Sequence, residues 1–152
     1  MKNNLELLLE SAAKAVFTTM LSYDVEIMEA EDVFFDGQEL VAGSVGLTGT
    51  INGMIYLYSN AVFARRITCS MFHMTDSEIQ GNEMVNDVIG ELSNMIVGNV
   101  KSKIETNGCN MTIPSVVRGK DFRAMPISGA VRKTVHCRCA GGKVLIEAFI
   151  KT

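Results

Sequence analysis

GELSNMIVGNVKSKI, residues 90–104, is the stretch on which the fold turns. Carried back toward Glu78, its apolar residues Met84, Val85, Val88, Ile89, Leu92, Met95, Ile96 and Val100 recur at the spacing of one helix face. That spacing predicts one long helix, from the capping box Thr75-Asp-Ser-Glu78 to about Glu105, before Asn107-Gly108 stops it. In such a box the Thr hydroxyl and the Glu carboxylate each satisfy a backbone group that a helix start leaves unpaired. The opposite side carries Glu83, Asp87, Glu91, Asn94, Gly98 and Lys101, which line up as a single exposed stripe. Any amphipathic helix has a wet face. Here, however, Glu83, Asp87 and Glu91 repel one another at successive four-residue steps, and Asn94 lowers helix propensity in mid-helix.

Working outward, residues 3–21 repeat the helical pattern through Leu5, Leu8, Leu9, Ala12, Ala13, Val16, Phe17 and Met20. Residues 24–36 mix acids with β-formers and read as a short strand and a loop ending near Asp36-Gly37. Asn52-Gly53 in VGLTGTINGMIYLY is a two-residue hairpin signal, so strands are expected over roughly 43–51 and 54–58. Ser59 or Asn60 then caps a short helix carrying Val62, Phe63, Ile67 and Met71. After the long helix come strands over 110–118, 129–139 and 143–150, the last two joined at Ala140-Gly141-Gly142. Thr134, His136 and Arg138 alternate with Val135, Cys137 and Cys139, as a sheet with one covered face requires. The expected fold is α+β, with helices packed on one side of a largely antiparallel sheet and the long helix at its centre.

Composition narrows the function. The 152 residues suit a single domain with one substantial core, expected over 1–152; 47% are hydrophobic and 20% charged. A net charge of −3 argues against a nucleic-acid surface, which needs clustered Lys and Arg beyond Arg65-Arg66 and Arg132-Lys133. No apolar run reaches the ~18 residues of a membrane span, and Glu6 and Glu10 interrupt what a secretory signal would keep apolar. The expected compartment is therefore the cytoplasm. Cys69, Cys109, Cys137 and Cys139 read as reduced, mostly buried thiols. Cys137 and Cys139 share one strand face and His136 takes the other, which spoils a local metal cluster, and His73 lies far away.

The run Asp87-x-x-x-Glu91-x-x-Asn94, set in NDVIGELSNMIVGNVKSK, resembles the motif of the CheC/CheX/FliY family of bacterial chemotaxis phosphatases. Gly90-Glu91-Leu92 and Asn94-Met95-Ile96-x-Gly98-Asn99 extend the likeness. Pro114, separated from Asn94 by nineteen residues, stands where the family pattern ends in a proline, at slightly shorter spacing. Glu10-Ser11-Ala12-Ala13 occupies the place of a first Glu-x-x-Asn site, so one motif remains, as in CheX-like members. Glu83-Met84-Val85-Asn86 matches Glu-x-x-Asn by letter, but Ile79 stands where an Asp or Ser should precede it.

The resemblance implies hydrolysis of the aspartyl-phosphate on a CheY-like response regulator, in chemotaxis signal termination. Such a partner carries its own Mg²⁺, so this chain needs no cofactor. Asn94 would orient the attacking water and Glu91 would pair with the partner's lysine. Asp87 would support Glu91 or make a third contact. Gly98 and Gly90 would either keep the helix surface low for close approach or serve tight helix packing, and Pro114 would border the docking face. Family members also dimerise through their sheets, so a homodimer is expected. Two other readings use the same sequence: a catalytically silent module that docks on a response regulator or flagellar switch component, and a ligand-binding or structural domain unconnected with phosphotransfer.

Overall fold

The computed structural model describes residues 4–30, 35, 37–104 and 108–151. Three helices, α1 (Asn4–Leu21), α2 (Ala61–Phe72) and α3 (Glu83–Lys103), accompany seven strands. These are β1 (Glu26–Met28), β2 (Glu39–Gly49), β3 (Asn52–Asn60), β4 (Cys109–Met111), β5 (Ser115–Lys120), β6 (Val131–Cys139) and β7 (Gly142–Lys151). The strands form one sheet in the order β1-β6-β7-β3-β2-β4, and β5 also pairs with β2. Every pairing is antiparallel. The expected α+β architecture is what forms.

The helices bury one face of the sheet. Leu9 and Phe17 of α1 and Leu92, Ile96 and Val100 of α3 meet Val45, Leu47, Ile55, Leu57, Ile146 and Ala148 in one continuous core. Removing this much apolar surface from water is the main force that holds α3 on the sheet. Seating α3 also requires small groups. A Cβ at Gly43 would collide with the Ser93 hydroxyl and press on the Ile89 carbonyl oxygen at 3.0 Å. Ser93 is buried, and its Oγ donates back to the Ile89 carbonyl at 2.7 Å.

Several local signals mean something other than their sequence reading. The capping box at Thr75–Glu78 forms, but on a single 3₁₀ turn, Asp76–Glu78. Ile79 then turns extended and Gly81 takes φ +67°, so α3 has to start afresh at Glu83. The Asn52-Gly53 pair is not the hairpin turn. Gly49, at φ +115°, turns the chain, and the Asn52 amide closes it by donating to the Gly49 carbonyl at 2.9 Å. Gly53 lies within β3, pairs with Leu47, and is small because β7 passes close: a Cβ there would run into the Phe149 carbonyl. By contrast, the Ala140-Gly141 turn is as expected, with φ +49° and +78°. Asn60 is the α2 cap, its side chain accepting from the Phe63 N–H at 2.6 Å. The strand expected over 110–118 breaks in two ahead of Pro114, which has no N–H to give a ladder. Asp36, Glu105 and Asn107, invoked above as loop and helix ends, lie outside the described residues.

The far face of the sheet is covered in part, rather than wholly wet. Residues 121–130 run from β5 to β6 across it, and Leu40, Ala42, Tyr58 and Leu145 form a second cluster with Phe122 packed on top. At its centre the buried Glu147 carboxylate accepts from Tyr58 at 3.0 Å and from Arg132 at 2.7 Å, with Arg123 at 3.5 Å. The Ala124 N–H donates to the Tyr58 oxygen at 3.1 Å. Burial and the neighbouring Glu147 charge push the Tyr58 phenol up, so it remains a donor at any physiological pH.

Candidate functional site

At 100° per residue, Asp87, Glu91, Asn94 and Gly98 fall within about 60° of one another around α3. Glu91 and Asn94 are then about 4.5 Å apart along the axis, close enough to engage one site on a partner. Asp87 and Glu91 are exposed, and Asn94 and Gly98 are half-buried. Among the described residues no side-chain hydrogen bond or ion pair engages Asp87, Glu91 or Asn94. The amide of Asn94 offers two donors and one acceptor oxygen, all left to an outside partner.

Neighbouring polar groups on the same helix behave differently. Asn86 accepts from the Arg118 guanidinium at 3.0 Å, and Arg118 in turn reaches Glu39 at 3.3 Å. The amide of Glu83-Met84-Val85-Asn86 is thus committed within the fold. Ser93 is satisfied by its own helix. The three motif side chains are not used by the fold among the described residues, and neither is the buried Asn99 Oδ1 one turn further on.

A wall flanks the stripe. The Met111 side chain comes within 4.0 Å of where a Gly98 Cβ would stand. Pro114 and Val116 come within 3.8 and 3.4 Å of the Gly90 position. Gly90 itself is buried, so it serves this packing instead of opening the surface to a partner; Gly98 keeps a partly open side. Pro114, distant in sequence, is brought to the motif helix as the resemblance implied. Met111 and Pro114 touch α3 one turn on either side of Asn94, so Thr112 and Ile113 pass alongside it. Ile113 is 86% exposed and was not singled out by sequence reasoning. An apolar residue before a proline in an expected strand carries no signal that it will stand in solvent.

The other polar clusters offer no comparable chemistry. Among the described residues no group of three or more His, Cys, Asp or Glu could hold a metal ion. Burial pushes the Cys137 thiol up to about 12 and the Cys139 thiol up to about 11, so neither supplies a thiolate nucleophile near neutral pH. A cleft of about 450 Å³ beside β6 is lined by Glu6, Glu10, Arg132, Lys133 and His136, and the Lys133 amine lies 3.4 Å from Glu6. No described helix is long and apolar enough to cross a membrane.

Helices on one face of an antiparallel sheet give this chain the fold of the CheC-like chemotaxis proteins. The chemotaxis protein CheX of Vibrio vulnificus has this fold: it superposes with a TM-score of 0.82 at 20% identity, over 98% of this chain and 97% of that one. The CheX of Borrelia burgdorferi, solved in complex with CheY, BeF₃ and Mg²⁺, superposes with a TM-score of 0.66 at 18% identity, over 96% and 97%. The family model for the chemotaxis phosphatase CheX matches residues 41–138, and this chain belongs to that family. In sequence, the CheY-P phosphatase CheX of Thermotoga maritima is 33% identical over 82 residues; the match spans about half of each protein, 52% of this chain and 52% of the relative.

Proposed function

We propose that this protein is a phosphatase that hydrolyses the aspartyl-phosphate of a CheY-like response regulator and so ends a chemotaxis signal. The observation that carries the proposal is Asn94: a half-buried carboxamide with no partner in the fold, one turn from a free Glu91, within the stretch matched to the CheX family. The reaction forms a bond from water oxygen to phosphorus and breaks the bond from phosphorus to the partner's aspartyl oxygen. Inorganic phosphate leaves and the carboxylate is restored. Little covalent work falls to the catalyst, because phosphoryl transfer gains mostly from positioning and charge stabilisation.

Asn94 enters the partner's site. Its carbonyl oxygen accepts a hydrogen from the attacking water and its NH₂ donates to a partner or phosphoryl oxygen, which holds the water in line. Glu91 pairs with the partner's lysine and sets the register. Asp87, exposed one turn earlier, adds a third polar contact. The Mg²⁺ that neutralises phosphoryl charge is supplied by the regulator; the Borrelia burgdorferi complex of CheX with CheY likewise contains Mg²⁺ and BeF₃. The same reading makes the protein a cytoplasmic homodimer that associates through its sheet, which sedimentation at micromolar concentration tests.

The decisive experiment is phosphate release from a panel of Mg²⁺-loaded, phosphorylated CheY-like receivers, with wild type beside Asn94→Ala. Turnover at substoichiometric protein, lost in the variant, supports the reading. Stoichiometric binding without turnover would convert it to the silent docking module.

A further inference from the structure

Ile113 stands in solvent on a backbone that is held rather than slack. The Thr112 N–H donates to the Gly46 carbonyl at 2.9 Å, and the Thr112 hydroxyl accepts from the Gly46 N–H at 2.8 Å. On the other side Pro114 fixes φ and leans on Gly90 of α3. The chain is therefore clamped on both sides of a residue that is 86% exposed. Single exposed aliphatics are common and need no explanation by themselves. This one is set apart by its place, since the Met111 and Pro114 contacts at Gly98 and Gly90 bracket Asn94. Pro114 beside it is also exposed, so the two make an apolar ridge along one side of the polar stripe.

We propose that Ile113, backed by Pro114, is the apolar anchor of the docking surface for the response regulator. The ridge packs on an apolar patch beside the receiver's phosphorylation site while Glu91 and Asn94 engage its polar centre. This rests on the reading of the α3 stripe as the receiver-facing site, with which the ridge is continuous. The division of labour is physical. Glu83, Asp87 and Glu91 favour a partner with basic groups at the rim, which speeds encounter. An apolar anchor at the edge of a polar contact excludes bulk water and slows departure.

The test is steady-state phosphate release on a receiver that the wild type dephosphorylates, using Ile113→Ser and Ile113→Val. Binding of the same receiver loaded with Mg²⁺ and beryllofluoride is measured alongside. Ile113→Ser should raise KM and weaken binding by about tenfold with kcat nearly unchanged, the scale of one lost aliphatic anchor. Ile113→Val should restore both, and thermal stability should not move in either. Asn94→Ala should do the reverse, losing kcat while it still binds. Wild-type KM and binding in Ile113→Ser, beside a dead Asn94→Ala, would overturn the ridge and leave the phosphatase reading standing. Loss of a dimer by sedimentation with KM unchanged would assign Ile113 to a second copy of this chain and overturn it equally. No binding or turnover by wild type with any receiver would overturn both.

Discussion

The protein carries two glutamate-centred clusters, one on each side of its sheet, and they are built on opposite principles. Glu147 is 2% exposed and accepts from Tyr58 and Arg132, with Arg123 close by, under the 121–130 crossing. Glu91 is exposed on α3, and neither it nor Asn94 has a side-chain partner among the described residues. A buried carboxylate without donors would destabilise the fold by several kcal/mol, so Glu147 has to be paired. An exposed carboxylate is hydrated for free and can wait for a partner. Pairing commits Glu147 to the fold, whereas the exposed Glu91 and the half-buried Asn94 beside it are left available to a partner.

That contrast can be broken. The largest effect is expected from Asn94→Ala: turnover on a phosphorylated receiver should fall about 10²-fold or more, as when one transition-state-positioning donor is removed. The melting temperature should hold, and a variant that unfolds instead would show that the amide serves the fold. Glu147→Gln should produce the mirror image. Losing the charge that faces Arg132 and Arg123 should lower stability by about 1–3 kcal/mol, discounted because both arginines are half in solvent. Denaturant unfolding reads this, and turnover per folded molecule should stay near wild type. If turnover fell at unchanged stability, the two faces of the sheet would be coupled.

Smaller effects sharpen the picture. Gly43→Ala should lower stability by about 1–3 kcal/mol, because the new methyl meets the Ser93 hydroxyl beneath α3. Adding Ser93→Ala removes that oxygen and should recover part of the loss in the same unfolding assay. The smallest change is expected from Glu91→Gln, which keeps shape and hydrogen bonding but drops the charge. KM for a receiver should rise several-fold with kcat less affected, and the difference should shrink as salt screens the contact.

Legibility in the sequence followed the range of each interaction. The α3 periodicity, the Ala140-Gly141 turn and the Asn60 cap depend on residues within one or two turns of chain, and all were readable. The capping box was real and still misleading. It closes the turn Asp76–Glu78, and the Gly81 backbone then separates it from α3. Asn52-Gly53 carried the letters of a hairpin turn. Gly53 is nevertheless small because of β7, a strand nearly a hundred residues later in the chain.

The site divides along the same line. The sequence by itself determined that Asp87, Glu91, Asn94 and Gly98 share one helix face, because a 3.6-residue repeat leaves them nowhere else to go. It also determined that this face is polar and the other apolar. Only the tertiary structure decided which polar groups the fold would consume: Asn86 went to Arg118, and Asn94 was left open. It alone brought Pro114 against Gly90 and Met111 toward Gly98, since β2 holds Thr112 and thereby carries that segment along the motif helix. Periodicity is a property of the chain. Partnership depends on what the folded chain brings within hydrogen-bond distance, and no local pattern encodes that.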